Sequence, residues 1–264
     1  ITKQLPKVLS DGKVDYKQIR QLNNVRKGQL IAELIPPEAG RDGVNVSGEP
    51  IIAPKGEEAK LIPGEHVVLN EEKNKIYAAI DGLVSIVDQE RIQVQPVYEI
   101  DGDINYEIGN IDFAGTVIVH GNVLSEFEIK ASGDIQVFGS VEAAFLNAGG
   151  TIFIEHGIVG GKKGKVQASQ DINASFIQEG RLEAGENVNV TQFIMHSNVR
   201  AGKRICCLGN KGLIVGGEVF AGERIEARII GNLSATRTVV AVGQDSDSYK
   251  RIEQLQHEKK EYER

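Results

Sequence analysis

The stretch "IKASGDIQV" at residues 129–137 carries the pattern that decides the fold. Apolar or small residues occupy its positions 0, 2, 6 and 8, which are Ile129, Ala131, Ile135 and Val137. The pattern occurs eight times, in copies that start at Ile111, Ile129, Leu146, Val166, Leu182, Val199, Val219 and Leu233. A repeat of near-constant length, here 14 to 20 residues, is typical of stacked supersecondary units.

Each copy predicts two short strands joined by a three-residue turn that keeps one length throughout. Residues two apart along a strand face the same side, so the pattern positions line one interior. The residues between them, such as Lys130 and Gln136, are mostly polar and are expected to point outward. All variation in length follows position 8. The sequence therefore predicts one constant corner and one variable side.

The spacing of apolar residues also predicts three faces. Between residues 111 and 141 an apolar residue falls every six positions, at Ile111, Val117, Val123, Ile129, Ile135 and Val141. Three faces of about six residues make a triangular β-solenoid, in which successive coils pair in parallel about 4.8 Å apart. Eight such coils would form a rod of roughly 38 Å.

The repeat divides the chain into three predicted parts. Residues 1–98 lack it and predict a small β-rich N-terminal domain that caps the first coil. Residues 99–243 are the predicted solenoid. In residues 244–264 the side chains of Ile252, Leu255, Lys259 and Tyr262 are spaced 3, 4 and 3 apart. This spacing predicts a C-terminal helix, either the start of a coiled coil that forms a homo-oligomer or a single helix folded over the last coil.

The composition, 41% hydrophobic and 25% charged, is that of a soluble globular protein. The net charge of -7 argues against nucleic acid or an anionic membrane surface as a partner. No run of about 20 apolar residues predicts membrane insertion. The two cysteines are adjacent, Cys207 predicted inside the core and Cys206 outside, which fits a reducing cytoplasm. The chain starts at Ile1 rather than Met, and we expect it to be a fragment.

Four segments together resemble one known family. They are "VDYKQIRQLNNVRKGQLIAELIPPEAGRDGVNVSGEPI" (residues 14–51), "GNIDFAGTVIVHGNV" (109–123), "ASGDIQVFGSVEAAFLNAGGTIFIEHGIVGG" (131–161) and "LIVGGEVFAGERIEARIIGN" (213–232). Their order, spacing and glycines resemble the flagellar assembly protein A family. The resemblance implies an all-β, right-handed parallel β-solenoid in a bacterial cytoplasmic protein. It also implies a link to assembly or polar placement of the flagellum through protein contacts, and it supplies no catalytic motif.

Two Gly- and Lys-rich segments occupy the two longest coils, "EHGIVGGKKGK" (residues 155–165) and "LGNKGLIVGGE" (208–218). Gly-rich backbone with lysine can cradle phosphate, but neither segment matches the GxxxxGK[ST] pattern of a P-loop. Three interpretations stay open: a bulged corner with solvated lysines, a ridge that binds protein, and an anion site. The candidate partner-binding corner on the variable side consists of Lys162, Lys163, Lys165 and Lys211.

Three histidines, His120, His156 and His196, also fall on the variable side. Hexapeptide-repeat acyltransferases use one histidine on a left-handed solenoid, so an acyltransferase is the alternative hypothesis. Against it, the sequence has no long insertion to shape an acyl-donor cleft and no His or Cys cluster with zinc spacing. The favoured hypothesis is a non-enzymatic scaffold that binds partner proteins, with no predicted catalytic, cofactor or metal residues.

A single buried charge tests the predicted interior. Each buried aliphatic side chain should contribute about 1.5–3 kcal/mol, and a lone buried carboxylate has no partner to offset its desolvation. We expect Ile135→Asp to collapse the solenoid, measured by circular dichroism as loss of the thermal unfolding transition. A soluble variant that melts at the wild-type temperature would rule out the solenoid.

Overall fold

The computed structural model describes residues 7–8, 14–15, 17, 22–56, 59–88, 91–161 and 163–243. All helical or strand structure in these residues is β-strand. The chain divides into two compact units, Asn23–Pro96 and a second unit that combines Ile1–Leu22 with Val97–Arg264. The predicted C-terminal helix or coiled coil at residues 244–264 lies outside the described residues.

The first unit is built from short strands. Two strands, β1 (Lys7–Val8) and β2 (Val14–Asp15), precede it in the chain and pair antiparallel. The unit itself contains β3 (Asn24–Val25), β4 (Leu30–Glu33), β5 (Gly43–Val44), β6 (Pro50–Ile51), β7 (Ile62–Pro63), β8 (Val67–Leu69), β9 (Lys75–Ala78), β10 (Gly82–Val87) and β11 (Arg91–Gln95). They form sheets of four, three and two strands around a small core of Val25, Ala78 and Val94. The predicted role of this region as a cap stays a prediction.

The second unit contains one continuous sheet of 17 strands. They are β12 (Val97–Ile100), β13 (Ile111–Phe113), β14 (Thr116–Val119), β15 (Glu128–Ala131), β16 (Ile135–Val137), β17 (Val141–Glu142), β18 (Phe145–Ala148), β19 (Ile152–Val159), β20 (Lys165–Ala168), β21 (Ile172–Gln178), β22 (Arg181–Ala184), β23 (Asn187–Ala201), β24 (Arg204–Cys207), β25 (Leu213–Ala221), β26 (Arg224–Ala227), β27 (Ile229–Ile230) and β28 (Thr238–Val242). Each strand pairs in parallel with the equivalent strand one turn later. The prediction of an all-β, right-handed parallel β-solenoid of about eight turns is confirmed.

Three faces make up each turn, as the six-residue spacing predicts. The first face carries positions 0 and 2, where Ile111 pairs with Ile129. The second face carries positions 6 and 8, where Val117 pairs with Ile135. The third face contributes one inward residue per turn, in a column made of Ile104, Val123, Val141, Ile158, Ile177, Ile194, Ile214 and Ile230. We call the junctions between first and second, second and third, and third and first faces the first, second and third corners.

The interior is a set of stacked aliphatic columns. Ile129, Ile135 and Val141, one from each face, are buried completely or almost completely. Outward neighbours on the same strands, such as Lys130, are exposed. Cys207 is fully buried and Cys206 is not, as the alternation predicts. Because every turn repeats the same inward positions, each column packs against itself along the rod.

The first corner has a fixed length because successive turns approach each other closely there. Gly202 donates its backbone N–H to the carbonyl oxygen of Ala184 in the preceding turn at 3.0 Å. A Cβ atom on Gly202 would lie 2.0 Å from the carbonyl oxygen of Gly185, and one on Gly222 would lie 2.0 Å from that of Gly202. A side chain at Gly202 or Gly222 would therefore collide with the preceding turn, whereas Ser132 and Ser169 occupy the equivalent position in other turns with the same backbone hydrogen bond.

The eighth copy of the pattern was predicted in the wrong place. Val219 pairs with Val240, and Ala221 pairs with Val242, so position 0 of the last first-face copy is Val240, seven residues after Leu233. Leu233 is fully exposed in the long third corner that precedes β28. The offsets of residues 233–241 match the pattern by coincidence, because backbone pairing with β25 decides which residues turn inward.

A pair of glycine substitutions tests the close approach at the first corner. We expect Gly202→Ala to destabilise the solenoid by about 1–3 kcal/mol, the usual range for overpacking a rigid site. Gly102→Ala is the control, since a Cβ atom there would meet nothing within 4 Å. Urea unfolding followed by circular dichroism measures both. Equal unfolding midpoints for the two variants would contradict the proposed contact.

Candidate functional site on the outer surface of the solenoid

The two Gly- and Lys-rich segments lie at different corners. In one long turn the extra residues follow Ile158, so Lys163 lies at the third corner and Lys165 begins β20 beyond it. In the other they precede Ile214, so Lys211 lies at the second corner. Lys162 lies outside the described residues. The single variable side predicted from sequence thus consists of the second corner, the third face and the third corner. The structure does not bring the candidate lysines Lys163, Lys165 and Lys211 together.

Lys163 and Lys165 are neutralised by carboxylates within the chain. Lys163 Nζ lies 3.1 Å from Glu126 Oε1, and Lys17 Nζ lies 3.2 Å from Glu126 Oε2. Lys165 Nζ lies 2.9 Å from Glu183 Oε2, which also accepts a hydrogen bond from Gln167 at 2.8 Å. Such partly exposed pairs contribute little to stability, but they leave Lys163 and Lys165 with little free positive charge.

These contacts shift the acidities of both carboxylates. The pKa of Glu126 is lowered, first by the hydrogen bond from Lys163 and then by that from Lys17. Burial acts to raise the pKa of Glu183, but the hydrogen bond and charge of Lys165 outweigh it and the pKa is lowered. Stability from either contact is present above the unfolded-state pKa of the carboxyl and is lost as the pH falls through its folded-state pKa.

Lys211 differs from the other candidate lysines. Its Nζ lies 5.6 Å from the centroid of the Phe193 ring, within the range of a cation–π contact. Among the described residues no carboxylate lies within ion-pair distance of it. Lys211 is exposed. It therefore offers an uncompensated positive charge beside an aromatic surface.

That aromatic surface belongs to an apolar row on the outside of the third face. We call it the third-face strip, and it consists of Phe176, Phe193, Leu213 and Ile229, each paired with the next one turn later. The rings of Phe176 and Phe193 stack with centroids 5.1 Å apart. The first three side chains are half-buried and Ile229 is 55% exposed. Apolar residues in register over four turns form a continuous surface.

Gly157 completes the row at its start. It occupies the equivalent place in the turn before Phe176, and a Cβ atom there would lie 2.4 Å from the Phe176 ring. The ring therefore lies over bare backbone.

Sequence reasoning missed the strip because it followed only the inward positions. A signal was present in four pairs, "FI" at 176–177, "FI" at 193–194, "LI" at 213–214 and "II" at 229–230. In each pair the isoleucine enters the core and the residue before it must face outward. An outward position that stays apolar in four successive turns departs from the polar outer surface elsewhere.

The histidines of the solenoid lie at separate places. The His120 ring stacks on Phe138 with centroids 5.2 Å apart, and its Nε2 lies 3.9 Å from Glu99. His156 is exposed at the second corner. His196 lies at the third corner with φ of 49°, a left-handed position that Ala143 and Glu179 occupy in other turns. In the part of the chain that the structure describes, no three His, Cys, Asp or Glu side chains form a group that could hold a metal.

The two cysteines are free thiols. Burial raises the pKa of Cys207 to about 11. Burial, followed by the hydrogen bond with Glu226, raises the pKa of Cys206. Both thiols are therefore protonated at neutral pH, when they are poor nucleophiles.

Exchanging single lysines tests the charge pairing at the third corner. We expect Lys163→Met to raise the pKa of Glu126 toward its ordinary value, because the largest stabilising contact of the carboxylate is lost. Lys165→Met is the matched control, which should raise the pKa of Glu183 and leave that of Glu126 unchanged. Carboxyl-detected NMR titration measures both groups. An unchanged Glu126 pKa in Lys163→Met would show that the pair does not form in solution.

Comparison with known proteins places this architecture in a family. No helix in the described ranges is long and apolar enough to cross a membrane. Searches of curated proteins and of solved structures each found no significant match. Residues 2–89 match the family described as Flagellar Assembly Protein A N-terminal region, and residues 96–264 match its beta solenoid domain. The chain belongs to the flagellar assembly protein A family.

Proposed function

We propose that this chain is a non-enzymatic scaffold that acts in bacterial flagellar assembly by binding partner proteins to the third-face strip. Membership of the flagellar assembly protein A family supports the cellular role. The observation that carries the binding role is the row from Phe176 to Ile229, which places apolar side chains on the outside of four successive turns. Contiguous exposed apolar surface marks interaction sites on soluble proteins.

The strip suits a partner helix better than a partner strand. Phe176, Phe193 and Leu213 lie on strands that already pair on both sides, so an incoming strand finds no open edge there. A partner must therefore bind through contacts with the outward side chains of the strip. Turns of the solenoid repeat about every 4.8 Å, close to the roughly 5.4 Å pitch of an α-helix. A helix lying along the rod can therefore place one apolar side chain on each turn.

The charge of Lys211 favours partner helices that carry an acidic residue. Lys211 lies over Phe193 without a carboxylate partner in the described part of the chain, so an acidic residue beside the apolar stripe of the partner would pair with it. Lys163 and Lys165 would first have to leave Glu126 and Glu183. Of the described candidate lysines, Lys211 is thus the one that a partner can engage directly. The net charge of -7 disfavours nucleic acid at the same aromatic rings.

We also infer where this scaffold acts and how it assembles. A scaffold for the flagellum would act in the cytoplasm, at the cell pole, and a helix formed by residues 244–264 could join two copies. No observation of the described residues favours the alternative of a hexapeptide-type acyltransferase that uses His120, His156 or His196.

A charge placed on the strip tests the binding role. We expect Phe193→Asp, introduced into the gene in the native host, to reduce the number of flagella per cell several-fold, because the carboxylate interrupts the apolar row. Phe153→Asp is the matched control, since Phe153 is 43% exposed on the outside of the second face. Electron microscopy counts the flagella, and immunoblotting with thermal unfolding checks that both variants accumulate and fold.

Two results would contradict the proposal. One is a normal flagellar count in cells that contain folded Phe193→Asp. The other is an equal loss for Phe193→Asp and Phe153→Asp, which would assign the effect to the solenoid in general rather than to the strip.

A further inference from the structure

The two ends of the solenoid core are finished differently. At the N-terminal end, Ile104 and Phe127 are buried. Tyr106 packs edge-on against the Phe127 ring with centroids 5.0 Å apart, and Lys17 Nζ lies 5.6 Å from the same ring. Side chains from outside the repeating pattern therefore cover the first turn.

The C-terminal end exposes the inward positions of the last described turn. On the third face, exposure rises from 0% at Ile214 to 52% at Ile230, its partner one turn later. On the first face it rises from 2% at Ala221 to 45% at Val242. Ile230 and Val242 continue buried columns, so the surface that they expose is the end of the core.

Three open strand edges surround this apolar end. The last strands of the three faces, β26, β27 and β28, pair with the preceding turn, and no described strand pairs with their other edges. Elsewhere in the solenoid the following turn binds the equivalent edges. Open edges around bare apolar side chains recruit another chain, and the end of another solenoid has the matching arrangement of strands.

The residues of these edges carry little charge to oppose such a contact. Natural sheets protect their edges with charged side chains or proline, but β27 and β28 consist of Ile-Ile and Thr-Val-Val-Ala-Val. The charged residues of β26 are Arg224 and Glu226, and they form an ion pair with each other. Two copies of this end can therefore meet without placing unpaired like charges of these strands together.

A second copy of this chain offers the matching surface at its own C-terminal end. Its N-terminal end does not, because Tyr106 and Lys17 cover the Phe127 ring there. Head-to-tail stacking is thus disfavoured, and two identical ends remain. Identical surfaces that bind each other are related by a two-fold axis, and the contact closes as a dimer instead of extending into a filament.

The two-fold axis also determines how the edges pair. Rotation about an axis perpendicular to the rod reverses the direction of every strand, so the edges of the two copies meet antiparallel. β28 is the longest of the three edge strands, with five residues centred on Val240. An axis through Val240 pairs β28 with β28 of the second copy along its full length and sets β26 of each copy opposite β27 of the other.

We propose that two copies of this chain associate through the C-terminal ends of their solenoids. β28 pairs antiparallel with β28 of the second copy, and Ile230 and Val242 are buried in the contact. The second copy satisfies the open backbone groups and covers the end of the core, as the following turn does elsewhere in the rod.

Sedimentation velocity of the full chain tests the contact. We expect a monomer–dimer equilibrium in the micromolar range that Ile230→Lys weakens at least several-fold, because the lysine ammonium group would lose its water in an apolar contact. Ile86→Lys is the matched control, since Ile86 is 66% exposed in the Asn23–Pro96 unit, and it should leave the equilibrium unchanged. Thermal unfolding checks the fold of each variant, and Val242→Lys replaces Ile230→Lys should that variant not fold.

A cysteine at the proposed axis tests the pairing directly. Cys206→Ser removes the partly exposed native thiol and leaves Cys207, which is buried. In this background we expect Val240→Cys to form a disulfide-linked dimer under mild oxidation, detected by non-reducing electrophoresis. Tyr106→Cys, at an exposed site near the N-terminal end, is the control and should stay monomeric.

Three results would each overturn the proposal. They are a chain that sediments as a monomer throughout the micromolar range, a dimer that the folded lysine variant leaves intact, and equal cross-linking of Val240→Cys and Tyr106→Cys. None of them would bear on the third-face strip, whose role is tested separately by Phe193→Asp.

Discussion

The first corner, where the chain passes from the first face to the second, fixes the register of every turn of the solenoid. Successive turns touch through backbone there, and a Cβ atom on Gly222 would lie 2.0 Å from the Gly202 carbonyl oxygen. Neither the length nor the height of the corner can change without breaking that contact. The two strands that flank it therefore keep one register in every turn, and the inward residues stack as columns. A core of aliphatic side chains and alanine can then be repeated without new packing solutions.

The same register orders the outer surface. Once Ile177 stacks on Ile158 inside, the residues before them must stack outside, and a run of apolar residues at that position becomes a continuous strip. Polar positions obey the same rule, as where Asn189 donates to Asn173 of the preceding turn at 2.9 Å. A solenoid thus converts a residue type repeated at one position into a surface stripe along its axis. Binding surfaces of this kind need no loop to shape them.

Length variation is allowed only where it does not disturb this stacking. The second and third corners absorb insertions because they project into solvent, and the two long turns use one corner each. The ends of the rod obey a different requirement, since each must bury a core that has no further neighbour. At the N-terminal end, Tyr106 and Lys17 cover the buried ring of Phe127. The corners set the local shape, and the ends set where the rod stops.

The sequence by itself determined the parallel solenoid, its period, the constant corner and the inward residues, including the burial of Cys207. It could do so because strand alternation and turn length are local properties, readable within nine residues. Tertiary structure alone decided that β28 starts after Leu233, that Lys163 and Lys211 lie at separate corners, and that Phe176 and Phe193 stack outside. Those features depend on hydrogen bonding between turns about 20 residues apart, which selects the register after variable corners, and no pattern within one copy contains that information.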